Sequence, residues 1–144
     1  MKKLSMLFIA SLFISIAQAQ TKHTVGEKWG GGIVFYITLD SLHGLIAETQ
    51  YQGESNWYNA QDLINKATNH SIEGKNFTDW RLPTKKELDL MYKNKYLFGF
   101  ASDNYWSSTE DVNNVAWVIS FAIGYKYLED KSPNFNFVWA VRSF

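Results

Sequence analysis

Pro83 stands between the triplet Trp80-Arg81-Leu82 and a run of helix formers, and it constrains the chain on both sides. Its ring disfavours helical geometry at the preceding residue, so the triplet reads as extended. Just after it, Thr84 and Glu87 have the spacing of a capping box. The threonine oxygen accepts from the Glu87 amide, and the glutamate reaches back to the Thr84 amide. Leu88, Met91 and Tyr92 then supply a buried stripe, and Gly99 marks where the helix has ended. An extended segment entering a capped helix is thus set by about nine consecutive residues.

The flanking chain alternates in type. Residues 33–37 (Ile-Val-Phe-Tyr-Ile) are β-branched or aromatic on both faces and read as a buried strand. Asp40 to Gly44 form a turn, and Leu45-Ile46-Ala47 return as the second strand of a hairpin. Gly30-Gly31-Gly32 precedes this strand and no Lys-Ser or Lys-Thr pair follows, so a phosphate loop is excluded. Trp57, Ala60, Ile64 and Ala67 are spaced for a helix face, with Ser55 or Asn56 to cap it. Beyond the Pro83 helix, Trp117, Ile119 and Phe121 alternate with Ala116, Val118 and Ser120. Gly124 allows a turn, and Tyr125 and Tyr127 begin a returning strand. Phe135, Phe137, Trp139 and Val141 alternate to the end. Two helices followed by an antiparallel meander make an α+β domain, two helices packed on antiparallel sheet and hairpins.

Lys2 and Lys3, the apolar run from Leu4 to Ala17 and the small residues around Ala19 have the layout of a secretory signal. The expected division is a signal peptide over 1–19, cleaved after Ala19, a flexible segment over 20–28 and one domain over 29–144. The apolar run is short for a bilayer span, so no membrane insertion is expected after signal removal. The expected location is secreted or periplasmic. There is no cysteine to carry lipid or a disulfide, so the core depends on the aromatic residues, 6 Trp, 8 Tyr and 10 Phe. With Lys2 and Lys3 removed, 12 basic and 14 acidic residues remain, and no basic stripe exists to follow a phosphate backbone. Nucleic acid is not an expected partner.

Gly31-Gly32-Ile33-Val34-Phe35-Tyr36-Ile37, His43-Gly44-Leu45-Ile46-Ala47, Asp79-Trp80-Arg81-Leu82-Pro83-Thr84, Tyr105-Trp106-Ser107-Ser108-Thr109-Glu110, Ala116-Trp117 and Ala140-Val141-Arg142 occur in that order. The series resembles the Lcl C-terminal domain family and is similar to the bacterial major paralogous domain of cell-surface proteins. It spans residues 25–144. The resemblance implies a C-type-lectin-like fold, related to the formylglycine-generating enzymes, on exported bacterial proteins. It also implies a binding role, since the best-known relative is an adhesin whose domain binds sulfated glycans and trimerises under a collagen-like stalk. This chain has no Gly-x-y stalk and is not basic, so neither trimerisation nor a sulfated ligand transfers to it.

Thiol chemistry is excluded without cysteine. His23, His43 and His70 show no metal-ligand spacing, and no serine stands in a Gly-x-Ser-x-Gly elbow, although spacing alone leaves a Ser-His-Asp triad open. No catalytic residue, metal or cofactor is expected. Asp103, Asn104, Glu110, Asp111, Asn113 and Asn114 are rich in oxygen, but turn chemistry accounts for them, and the calcium-dependent sugar signatures are absent. A glycan or a cell-surface protein is the expected ligand of a non-catalytic module, held by Asn104, Tyr105, Trp106, Glu110, Asn113, Asn114 and Tyr125. For Trp106 and Trp117 a buried core is the preferred reading. Arg81 and Arg142 are expected to pair with carboxylates or carbonyls. Two other readings stand beside this one: a structural component of a surface assembly, and an enzyme with an unrecognised site.

Overall fold

The computed structural model describes residues 21–144, and the export signal expected at 1–19 lies outside them. In chain order the elements are β1 (Lys28–Trp29), β2 (Gly32–Ile37), β3 (Gly44–Glu48), β4 (Gly53–Ser55), α1 (Trp57–Asn65), α2 (Lys85–Lys93), β5 (Asn104–Glu110), β6 (Val115–Ser120), β7 (Lys126–Asp130), β8 (Asn136–Val138) and β9 (Val141–Ser143). They form a four-stranded sheet, β1-β2-β3-β9, and a five-stranded sheet, β4-β8-β5-β6-β7. The fold is α+β. Gly32 leaves no room for a side chain where β2 meets β3, since a Cβ there would meet the Ala47 oxygen at 2.1 Å. Gly124, at φ +75°, turns the chain between β6 and β7.

Both faces of β2, β3, β5 and β6 carry buried residues, which explains why the sequence there lacks a clean polar face. Neighbouring residues belong to opposite cores. Val34, Ile46, Trp106, Val118 and Val138 pack with Ala60 and Ile64 of α1. Phe35, Ala47, Tyr105, Ile119 and Trp139 pack with Leu88 and Met91 of α2. The period of two thus assigns each strand residue to one helix or the other.

Four expectations need correction. The C-terminal alternation does not make one strand. β8 lies in the five-stranded sheet and β9 in the other, with Val138, Trp139, Ala140 and Val141 all buried between them. Trp139 Nε1 donates to the Glu48 carbonyl at 2.8 Å, and the Ala140 amide to Gln52 Oε1 at 2.6 Å, which holds the crossing. The meander is not wholly antiparallel, because β8 pairs with β5 in parallel at Tyr105 and Phe137. α1 stops at Asn65, leaving Ala67 exposed in a short 3₁₀ turn. The segment expected to be loose is packed: His23 is buried beside Trp29 and Phe144, and Gly26 and Glu27 hydrogen-bond with Val34.

Candidate functional site

The start of α1 carries two adjacent aromatic residues with different tasks. Asn56 caps the helix by accepting from the Asn59 amide at 3.1 Å. Trp57 turns toward the body of the protein, and its Nε1 donates to the Ser107 carbonyl at 2.8 Å. Tyr58 lies off the buried Ala60–Ile64 stripe and is 56% exposed. Opposite them runs the Pro83 segment. Arg81 bridges to Val141, which holds Leu82 extended, and Thr84 closes the capping box of α2 through the Glu87 amide. Between β5, α1 and this segment lies a groove of about 410 Å³, lined by Trp57, Tyr58, Gln61, Arg81, Leu82, Thr84 and Ser108.

The charges around the groove are paired. Arg81 meets Glu87 through both terminal nitrogens, at 2.7 and 2.8 Å. Burial alone would raise the Glu87 carboxyl, but the hydrogen bonds from Arg81 and the Thr84 amide outweigh it and hold the group below its ordinary value. Beneath the aromatic pair lies Lys131, 2% exposed. Its ammonium is bonded to the Glu110 carboxylate and the Asn113 carbonyl, 4.4 Å from the Trp57 ring centroid and 5.7 Å from that of Tyr58. A cation against the negative faces of two rings, tied to a carboxylate, fixes how those rings sit. Lys85 is likewise placed over the Trp117 ring. That ring is only partly buried, which corrects the reading of Trp117 as core.

The seven residues expected at a ligand do not come together. Tyr105 and Trp106 have no exposure, and this is a correction: they are core residues, one in each hydrophobic cluster. Trp106 Nε1 is satisfied by the Ser55 carbonyl, and burial holds the Tyr105 hydroxyl well above the ordinary phenol range. Glu110, Asn113 and Asn114 gather around Lys131, with Asn114 accepting from its amide. Asn104 pairs with Ser120 at the far end of β5, on the side of the Tyr125 turn. The length of a seven-residue strand, ~20 Å, separates the two groups. Asp103 and Asn104 are therefore also remote from the Glu110–Asn114 oxygens as possible cation ligands. Among the described residues no group of three or more His, Asp or Glu is placed to hold a metal.

Sequence reasoning passed over Tyr58 and Lys131. The signal for Tyr58 was its place outside the Trp57, Ala60, Ile64 spacing, about 100° around the helix from Trp57. Nothing in the sequence marked Lys131, whose partners come from two separate segments, 57–58 and 110–114.

A second polar cluster centres on buried Glu48. Glu48 has no exposure and accepts from the Thr49 amide, His70 Nδ1 at 2.9 Å and Ser71 Oγ at 2.8 Å. His70 Nε2 faces the Ile64 carbonyl at 2.6 Å. A nucleophilic triad needs the second imidazole nitrogen on the serine. Here it faces main chain, and Ser71 bonds the carboxylate instead. The cluster ties the loop after α1 to β3.

Residues 36–142 match the sequence profile of the Lcl C-terminal domain. No curated protein matches the chain. Among the described residues no helix is long and apolar enough to cross a membrane.

Proposed function

The chain belongs to the Lcl C-terminal domain family, and from that premise we propose that it is an exported, non-catalytic binding module that holds a glycan in the groove between α1 and the cap of α2. The observation that carries this reading is the aromatic pair Trp57 and Tyr58, fixed in position by buried Lys131 along a groove of about 410 Å³. A small number of placed polar groups beside apolar and aromatic walls is the usual make-up of a small-ligand site. A pyranose has apolar faces that stack on such rings and hydroxyls around its edge. The Ser71–Glu48–His70 cluster is not a nucleophilic triad, because it lacks the serine–imidazole contact. The two-sheet α+β arrangement accords with the lectin-like fold that the resemblance implies, and the basic-apolar start of the sequence supports export.

A glycan array probed with the purified protein, with calcium and with chelator, tests the reading. Selective binding indifferent to calcium is expected, falling about tenfold in Tyr58→Ala, which corresponds to ~1.4 kcal/mol of lost contact. A blank array from folded protein, or equal binding by Tyr58→Ala, contradicts it.

A further inference from the structure

The groove's hydrogen-bonding groups differ in what they still have to offer. Arg81 is the one cation lining it. A guanidinium has five N–H donors. Four of them are engaged: one terminal nitrogen serves Glu87 and the Leu82 carbonyl, the other Glu87 and Ser143 Oγ. The fork that would recognise a sulfate or carboxylate is thus occupied by Glu87, and only the single donor on Nε is left over. Lys131 is buried and held by Glu110 and Asn113, so its ammonium does not reach the groove as a donor. Both partners that neutralise these cations are carboxylates close to the groove, and an anionic ligand would meet them as like charges.

The free capacity lies elsewhere. Thr84 Oγ1 accepts from the Glu87 amide, which leaves its own proton to donate. Tyr58 is more than half exposed, and its hydroxyl and that of Ser108 bond to no other described residue in the groove. Three uncharged hydroxyls, each donor and acceptor, stand beside two rings.

We propose that the groove selects an uncharged, hydroxyl-rich saccharide and rejects sulfated and uronate chains. This rests on the glycan reading above and adds the charge of the ligand to it. A sugar hydroxyl exchanges donor and acceptor roles with Tyr58, Thr84 and Ser108, while its ring stacks on exposed Tyr58, with Trp57 standing at 85° to that ring as the adjoining wall. The Arg81–Glu87 pair acts as a charge filter.

Titration of the purified protein, followed by tryptophan fluorescence, tests this with cellohexaose, maltohexaose and chitohexaose against dextran sulfate and oligogalacturonate. Each is measured at about 50 mM and about 500 mM NaCl, where screening differs strongly. A neutral oligomer is expected to bind at least about tenfold more tightly than either anionic one, with a Kd that moves less than about twofold between the two salts. Glu87→Gln keeps a capping-box residue but frees the Arg81 fork, and dextran sulfate affinity is expected to rise about tenfold in it. Tighter binding of an anionic chain by the wild type, weakened by salt, would overturn the charge assignment and leave the glycan reading standing. An unchanged dextran sulfate affinity in Glu87→Gln would overturn the filter role of the pair. Failure of all five saccharides to bind folded protein would sink the glycan reading, and this inference with it.

Discussion

Glu48 has no contact with solvent, yet its carboxylate is fully supplied with donors from Thr49, His70 and Ser71. A buried charge of this kind adds little net stability when complete but is costly to interrupt. The Gly74 position belongs to the same cluster: a Cβ there would lie 2.0 Å from Glu48 Oε2. Glu48→Ala is therefore expected to lower unfolding free energy by about 3–5 kcal/mol in urea titration, because His70 and Ser71 lose a buried acceptor together. A loss below about 1 kcal/mol would mean that the cluster is solvated in solution. Lys131 follows a different rule. Its partner Glu110 is half exposed, so the pair's role lies in seating two rings more than in stability.

At the scale of elements, α2 was the most legible part of the chain. Its cap is made between Thr84 and Glu87, within a few positions of Pro83, and the spacing of its stripe is read from neighbouring residues alone. Thr84→Ala is expected to cost about 1 kcal/mol, and Thr84→Ser to restore most of it. The pH dependence has a definite sign. Glu87 lies below its ordinary value of 4.5 when folded, so its contribution is complete above that value and is lost as pH falls through the lowered one. Urea midpoints measured from about pH 7 down to about pH 3 should drop more in wild type than in Glu87→Gln; equal drops would contradict the assignment. β8 and β9 were not legible, because alternation is the same whether a strand stays in one sheet or crosses to another. The crossing is set by Gln52 and by the Glu48 main chain, some ninety residues away. Short β4 was missed for a related reason, since Gly53-Glu54-Ser55 has no strand pattern and is a strand only by pairing with β8.

For the molecule as a whole, composition foretold a dense aromatic interior without disulfides. What it could not foretell is that the interior divides in two, one part per helix, with the sheets between. That division explains why Tyr105 and Trp106, adjacent and both attractive as ligand contacts, are each consumed by a core. It also explains why the proposed binding surface lies at the start of α1, where Tyr58 falls outside both cores. The groove joins residues 57–61, 81–84 and 108, with Lys131 from a fourth segment, and no single stretch of sequence announces such a set. Its location is the central claim. Chemical-shift mapping of the ¹⁵N-labelled protein, titrated with the strongest glycan from the array, tests it most directly. The Trp57 indole and the amides of Tyr58, Thr84 and Ser108 are expected to shift together and saturably. Shifts confined to Asn104, Ser120 and Tyr125 at the opposite end of β5 would contradict it.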